Sequence, residues 1–106
     1  MQVLWTSSKR MPHGVEVTGF MEAVALADAF PLPVSAHCAP SIHMHLACAA
    51  RPLRHVEYFH DHARIESMLF DGFRKPVKGA MYPDLTRPGL GLEFKHADAE
   101  PYRHDL

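Results

Sequence analysis

Cysteine is scarce: Cys38 and Cys48 are the only two in 106 residues, and they form no CxxC pair. That is too few to staple a secreted disulfide scaffold and fits reduced thiols in a cytoplasm, the expected location. No stretch reaches the ~20 apolar residues that a membrane helix needs. The opening MQVLWTSSKRMPHGVEVTGF also lacks the apolar core of a signal peptide, so neither membrane insertion nor export is expected. Charge of one sign is missing too. With 11 Lys+Arg against 12 Asp+Glu, a formal net charge of -1 leaves no basic surface to collect phosphates, which argues against a nucleic-acid partner. There is no GxSxG, no P-loop and no GxGxxG, so serine hydrolase, nucleotide hydrolase and dinucleotide-binding readings lack support.

What remains is globular. Apolar residues make up 47% and charged residues 22% of a chain long enough for one domain. Nine histidines are the unusual feature, since neutral imidazole can ligate a metal, act as a general base or sense pH. Three of them fall in the thirteen-residue stretch PVSAHCAPSIHMH, residues 33 to 45.

Hydrophobic spacing orders the chain. After a short apolar start, Val3 to Trp5, residues 6 to 16 read as a loop. Thr18 can cap a helix whose Phe20, Ala23, Val24, Ala27 and Phe30 recur at helical spacing, and Pro31 and Pro33 end it. PLPVSAH then alternates, with Leu32, Val34 and Ala36 on one face and Ser35 and His37 on the other, as a short strand does. A turn at Ala39 to Ser41 leads into a helix over SIHMHLACAA, which Arg51-Pro52 stops. LRHVEYF alternates again, Val56 and Tyr58 opposite His55, Glu57 and Phe59. Residues 61 to 70 predict a further helix capped by Asp61, residues 72 onward predict turns and short extended pieces, and the polar tail predicts a brief helix. Helix, strand, helix, strand with brief connections is the pattern of parallel βα units, so both strands should run the same way.

Functional groups in such an array gather at the carboxyl ends of strands. His37 closes the first strand and Glu57 lies near the end of the second on the corresponding face. Neighbouring parallel strands lie ~4.8 Å apart, which would bring a base and an acid to one rim. The other reading is that His37 only donates to a carbonyl and Glu57 is a solvated strand end. His43 and His45, two apart on a helix, point to nearly opposite sides and cannot share one metal. A zinc reading would need His45, Cys48 and the His60-Asp61-His62 segment together; that segment could equally line the mouth beside Glu57 or flank a helix start.

The stretches SAHCAPSIHMHLACA, LRHVEYFHDHARIESMLFDG and PDLTRPGLGLEFK resemble the carboxyl-terminal part of the enolase superfamily, in its mandelate racemase and muconate lactonizing enzyme branch, over roughly residues 17 to 102. The resemblance implies an α/β fold: a C-terminal fragment of a (β/α)8 barrel holding about two parallel strands and their helices, then an irregular segment. Residues 1–16 would be a divergent lead-in, 17–71 the βα units and 72–106 the turn-rich end. It implies His37 as general base or acid and Glu57 as the group hydrogen-bonded to the substrate carboxylate. Relatives place an aspartate on the preceding strand, where VLWTSSKR offers only Ser7. The implied enzyme is a Mg²⁺-dependent sugar-acid dehydratase or racemase acting on a carboxylate-bearing small molecule. The family's Mg²⁺ ligands belong to strands that this chain does not supply, so the chain alone is expected to bind no cofactor and to be inactive. Its uncovered barrel faces would favour self-association, the alternative role.

Overall fold

The computed structural model describes residues 4–6 and 16–104, with side chains from residue 17 onward. Strand β1 (Leu4–Thr6) is followed by α1 (Glu16–Ala29), β2 (Val34–Ala36), α2 (Pro40–Ala47), β3 (Leu53–Val56) and α3 (His60–Leu69). A small hairpin of β4 (Phe70–Asp71) and β5 (Glu93–Phe94) comes next, then α4 (His96–Ala99) and one 3-10 turn (Glu100–Tyr102). The sheet order is β1-β2-β3 with every pairing parallel, as βα units require. The expected two parallel strands are therefore joined by a third. Three residues, Leu4 to Thr6, are too short a run for alternation to announce a strand.

One face of the sheet makes the core. Val34 and Ala36 are fully buried there against Phe20, Val24 and Ala27 of α1 and Ala50 after α2, with Leu32, Leu46, Leu53 and Val56 packed around them. Burying a side chain the size of Phe20 or Val34 contributes about 1.5–3 kcal/mol, so this cluster is what fixes the sheet against its helices. Strict alternation would send Leu53 and Val56 to opposite faces, yet both reach this core. The register slips between Val34 and Ser35, which pair with Leu53 and His55, so Arg54 is the extra residue of a bulge.

Several helix ends differ from the sequence expectation. Thr18 lies inside α1, which begins two residues earlier, and so caps nothing. Phe30 falls beyond the end of α1 and is exposed. Helix α2 ends at Ala47, the Ala49 and Ala50 amides closing a turn onto the Leu46 and Ala47 carbonyls, and begins at Pro40, whose missing N–H costs nothing at a first helical position. Phe59, in extended conformation, takes the cap position of α3, and Asp61 sits in the first turn, where its charge favours the helix dipole.

Beyond α3, the β4–β5 hairpin is tied by the Arg87 guanidinium, which donates to Asp71 at 2.9 Å and approaches Glu93 at 3.9 Å. Gly72 is obligatory there. Its φ is +88°, and a Cβ would stand 2.0 Å from the carbonyl oxygen of Gly91. The chain as a whole is open for its size. Its radius of gyration is 15.0 Å, where a compact domain of this length has about 13 Å. Its accessible surface is 7781 Å², roughly 1,800 Å² more than a folded monomer of its mass exposes.

Candidate functional site

His37 and Glu57 occupy equivalent places, each one residue beyond the end of its strand. Ala36 pairs with Val56 in register, and the Glu57 amide continues the ladder by donating to the Ala36 carbonyl at 2.9 Å. The side chains at 37 and 57 therefore emerge side by side, His37 Nε2 3.6 Å from Glu57 Oε2. About a third of each side chain is exposed, 30% for His37 and 33% for Glu57, so both reach solvent. Two residues back along each strand, on the same face, Ser35 Oγ meets His55 Nε2 at 2.7 Å. Ser35 is fully buried and His55 exposed, so the Ser35–His55 and His37–Glu57 pairs lie in successive layers on this face of the sheet.

Cys38 completes the cluster, although nothing in the sequence pattern singled it out as a partner. It takes a left-handed conformation, φ +57°, and Ala39 follows at φ +42°. Two successive non-glycine residues in this region are sterically unfavourable and are held only by their surroundings. The holding bonds are visible. The Cys38 amide donates to Glu57 Oε2 at 3.1 Å, the Ala39 amide to His62 Nδ1 at 3.3 Å, and the Cys38 carbonyl accepts from His43 Nδ1 at 2.7 Å. The turn carries the buried Cys38 thiol back over the pair, Sγ lying 3.5 Å from His37 Nε2 and 3.6 Å from Glu57 Oε2.

Helix α3 supports this turn from below. His62 and Glu66, four apart and so on one helix face, both reach the start of α2. The Glu66 carboxylate accepts from the Ser41 amide at 3.3 Å and from the Ser41 hydroxyl in a short hydrogen bond. No side chain of the Ala39–Pro40 junction caps α2, so Glu66 acts as its cap from a different element. The HDH segment opens α3, as one of its two readings had it, and His62 from its first turn supports the Ala39 turn beside the site.

The remaining candidates separate. His43 is buried under Phe20, their ring centroids 5.4 Å apart, whereas the His45 ring donates to the Leu90 carbonyl. Cys48 Sγ donates to the Met44 carbonyl of its own helix. His45, Cys48 and the HDH segment therefore form no ligand set. Among the described residues the one group of three potential metal ligands is His37, Cys38 and Glu57. Ser7, the residue standing where relatives carry an aspartate, lies outside the described residues.

Comparison with known proteins agrees in extent with these elements. The family described as enolase C-terminal domain-like matches residues 14–99. No curated protein matches the chain. The fold is similar to the crystal structure of a mandelate racemase/muconate lactonizing enzyme-like protein from Rubrobacter xylanophilus, with a TM-score of 0.77 and 47% identity. That match covers 80% of this chain and 24% of the Rubrobacter protein.

Proposed function

Because the chain belongs to the enolase C-terminal domain-like family, we propose that it supplies the acid–base end of an enzyme that removes the proton next to a carboxylate to give an enediolate. The observation that carries this reading is the 3.6 Å approach of an imidazole and a carboxyl group at the adjoining carboxyl ends of β2 and β3. His37 Nε2 takes the carbon-bound proton and gives it to the departing hydroxyl in a sugar-acid dehydratase, whereas in a racemase it serves one face of the planar enediolate and a second acid–base group serves the opposite face. Glu57, anchored by the Cys38 amide, faces the same opening and hydrogen-bonds to the substrate carboxylate as that group gains enolate charge. The substrate class is a small carboxylate-bearing molecule in the cytoplasm. The parallel βα sheet is that of part of an enolase-type barrel, and the chain spans about a quarter of the Rubrobacter protein. In this reading it does not turn over substrate by itself.

Magnesium does not fit the described residues. Mg²⁺ takes near-octahedral oxygen ligands, and the one cluster found among the described residues offers one carboxylate beside an imidazole and a thiol. No step of this chain's chemistry is therefore routed through it.

A second reading, a self-associating module derived from such a barrel, is favoured by one observation. The surface in excess of a compact monomer, roughly 1,800 Å², is about twice the ~800 Å² that each partner buries in a standard protein interface. Val17 and Leu26 of α1 and Phe30 just beyond it are more than half exposed. Both readings are tested by mixing the chain with the part of the Rubrobacter protein that it does not cover. The enzymatic reading expects a one-to-one complex and turnover of a 2-hydroxy or sugar acid, which His37→Asn lowers by about 10²-fold or more. A homodimer that excludes that partner favours the module.

A further inference from the structure

Against the expectation that this chain alone binds no cation, we propose that His37, Cys38 and Glu57 form a binding site for a thiophilic divalent cation, of the class of Zn²⁺. The three candidate ligand atoms make an almost equilateral triangle: Nε2 to Sγ 3.5 Å, Sγ to Oε2 3.6 Å, Nε2 to Oε2 3.6 Å. Bond lengths to tetrahedral zinc of about 2.0–2.1 Å for nitrogen and oxygen and 2.3 Å for sulfur place such ligands about 3.3–3.6 Å apart. The triangle is thus one face of a zinc tetrahedron with its edges already near their final lengths. Little rearrangement is needed for an ion to settle on it.

The donor set decides which ion. A thiolate with an imidazole and one carboxylate selects zinc over magnesium, which seeks hard oxygen donors. The soft donor is the buried one, Cys38 being 4% exposed. His37 and Glu57 open toward solvent, so three protein ligands leave the fourth position to water or to a ligand oxygen, the pattern of open zinc sites. The groups around the ligands hold them in place. The Cys38 amide fixes the oxygen Oε2 that would coordinate, and the His43 ring fixes the Cys38 carbonyl. On binding, the Cys38 thiol gives up its proton to solvent and the sulfur lone pair forms the metal bond. An ion there also occupies the Nε2 lone pair and withdraws His37 from proton transfer. That consequence rests on the function proposed above, whereas the binding does not.

Cobalt(II), a spectroscopic substitute for zinc, tests the site on the 106-residue chain without any turnover. The expected result is one Co²⁺ per chain with a thiolate-to-cobalt charge-transfer band and the intense visible bands of tetrahedral cobalt, displaced by Zn²⁺ but not by excess Mg²⁺. Cys38→Ser should abolish the charge-transfer band, Glu57→Gln should weaken binding by at least about tenfold, and Cys48→Ser should change neither. In the unmutated chain Zn²⁺ should slow alkylation of Cys38 and leave Cys48 unaffected, a readout independent of whether a variant folds. Absence of the band, its survival in Cys38→Ser, its loss in Cys48→Ser, or equal alkylation of Cys38 with and without zinc would each overturn the proposal. Absence of turnover in the reconstituted enzyme freed of Zn²⁺ and Co²⁺, with cobalt binding by the chain intact, would sink only the catalytic reading.

Discussion

Replacing Glu66 with alanine should destabilise the chain by about 2–3 kcal/mol, because Glu66 caps a helix to which it does not belong. The Ser41 hydroxyl is buried, the residue being 1% exposed, and its acceptor is the Glu66 carboxylate. Removing that acceptor leaves the hydroxyl unsatisfied, a cost of about 1–3 kcal/mol. The lost carboxylate also stabilised the amino end of α2, by about 0.3–1 kcal/mol. For a domain of this size the sum should lower the melting temperature by about 10–20 °C. Ser41→Ala deletes the polar group together with its need for a partner and should cost only about 1 kcal/mol. The assay is urea denaturation of both single variants and the double variant at several protein concentrations, so that self-association is separated from folding. A coupling energy of about 1 kcal/mol or more is expected. Independent, additive effects, or a Glu66→Ala variant within about 0.5 kcal/mol of the parent, would refute the cap.

Two further outcomes concern the carboxyl-terminal hairpin. Arg87, by its hydrogen bond first and its charge second, holds the Asp71 carboxyl below the usual carboxylate range. A lowered folded-state pKa means the pair's stabilisation is present above the ordinary value and is lost as pH falls through the lowered one. Arg87→Leu should therefore move the Asp71 titration, followed by carboxyl carbon NMR, back upward, and an unmoved titration would contradict the pairing. Gly72→Ala should cost about 2 kcal/mol or more, since its Cβ would collide with the Gly91 carbonyl at a left-handed position. Hydrogen exchange should then show lost protection at the Lys95 amide, which bonds to the Leu69 carbonyl, with the β2–β3 ladder unaffected; retained protection at Lys95 would count against it.

Much of the fold could be read from local pattern because the pattern is set by burial. Phe20, Val24 and Ala27 face the core at helical spacing, and Val34 and Ala36 face it at strand spacing. The alternation that put Ser35 and His37 on the opposite face also brought Glu57 to His37's side, so the pairing of those two was visible in the spacing of two short strands. The extra residue in β3 was hidden, since a bulge at Arg54 is recognised only when Leu53 and Val56 are seen to share one core. Strand β1 escaped the local pattern, and only the resemblance placed a strand at VLWTSSKR, because a parallel edge strand is defined by its neighbour's ladder more than by its own three residues. Cys38 and Glu66 escaped for different reasons. The thiol is aimed by a left-handed backbone that alanine and cysteine do not advertise, and the cap bond from Ser41 to Glu66 spans 25 residues. His62 and Glu66, four apart on α3, were the one local trace of that support.

The central claim is that His37 moves a proton at the substrate carbon while Glu57 meets the carboxylate. The most direct measurement is deuterium wash-in from D₂O at the carbon next to the carboxylate, followed by NMR in the complex rebuilt with the remainder of the Rubrobacter relative and recorded separately from product formation. Wash-in is expected in that complex, abolished by His37→Asn and slowed by Glu57→Gln. Wash-in that proceeds undiminished in the His37→Asn complex would contradict it.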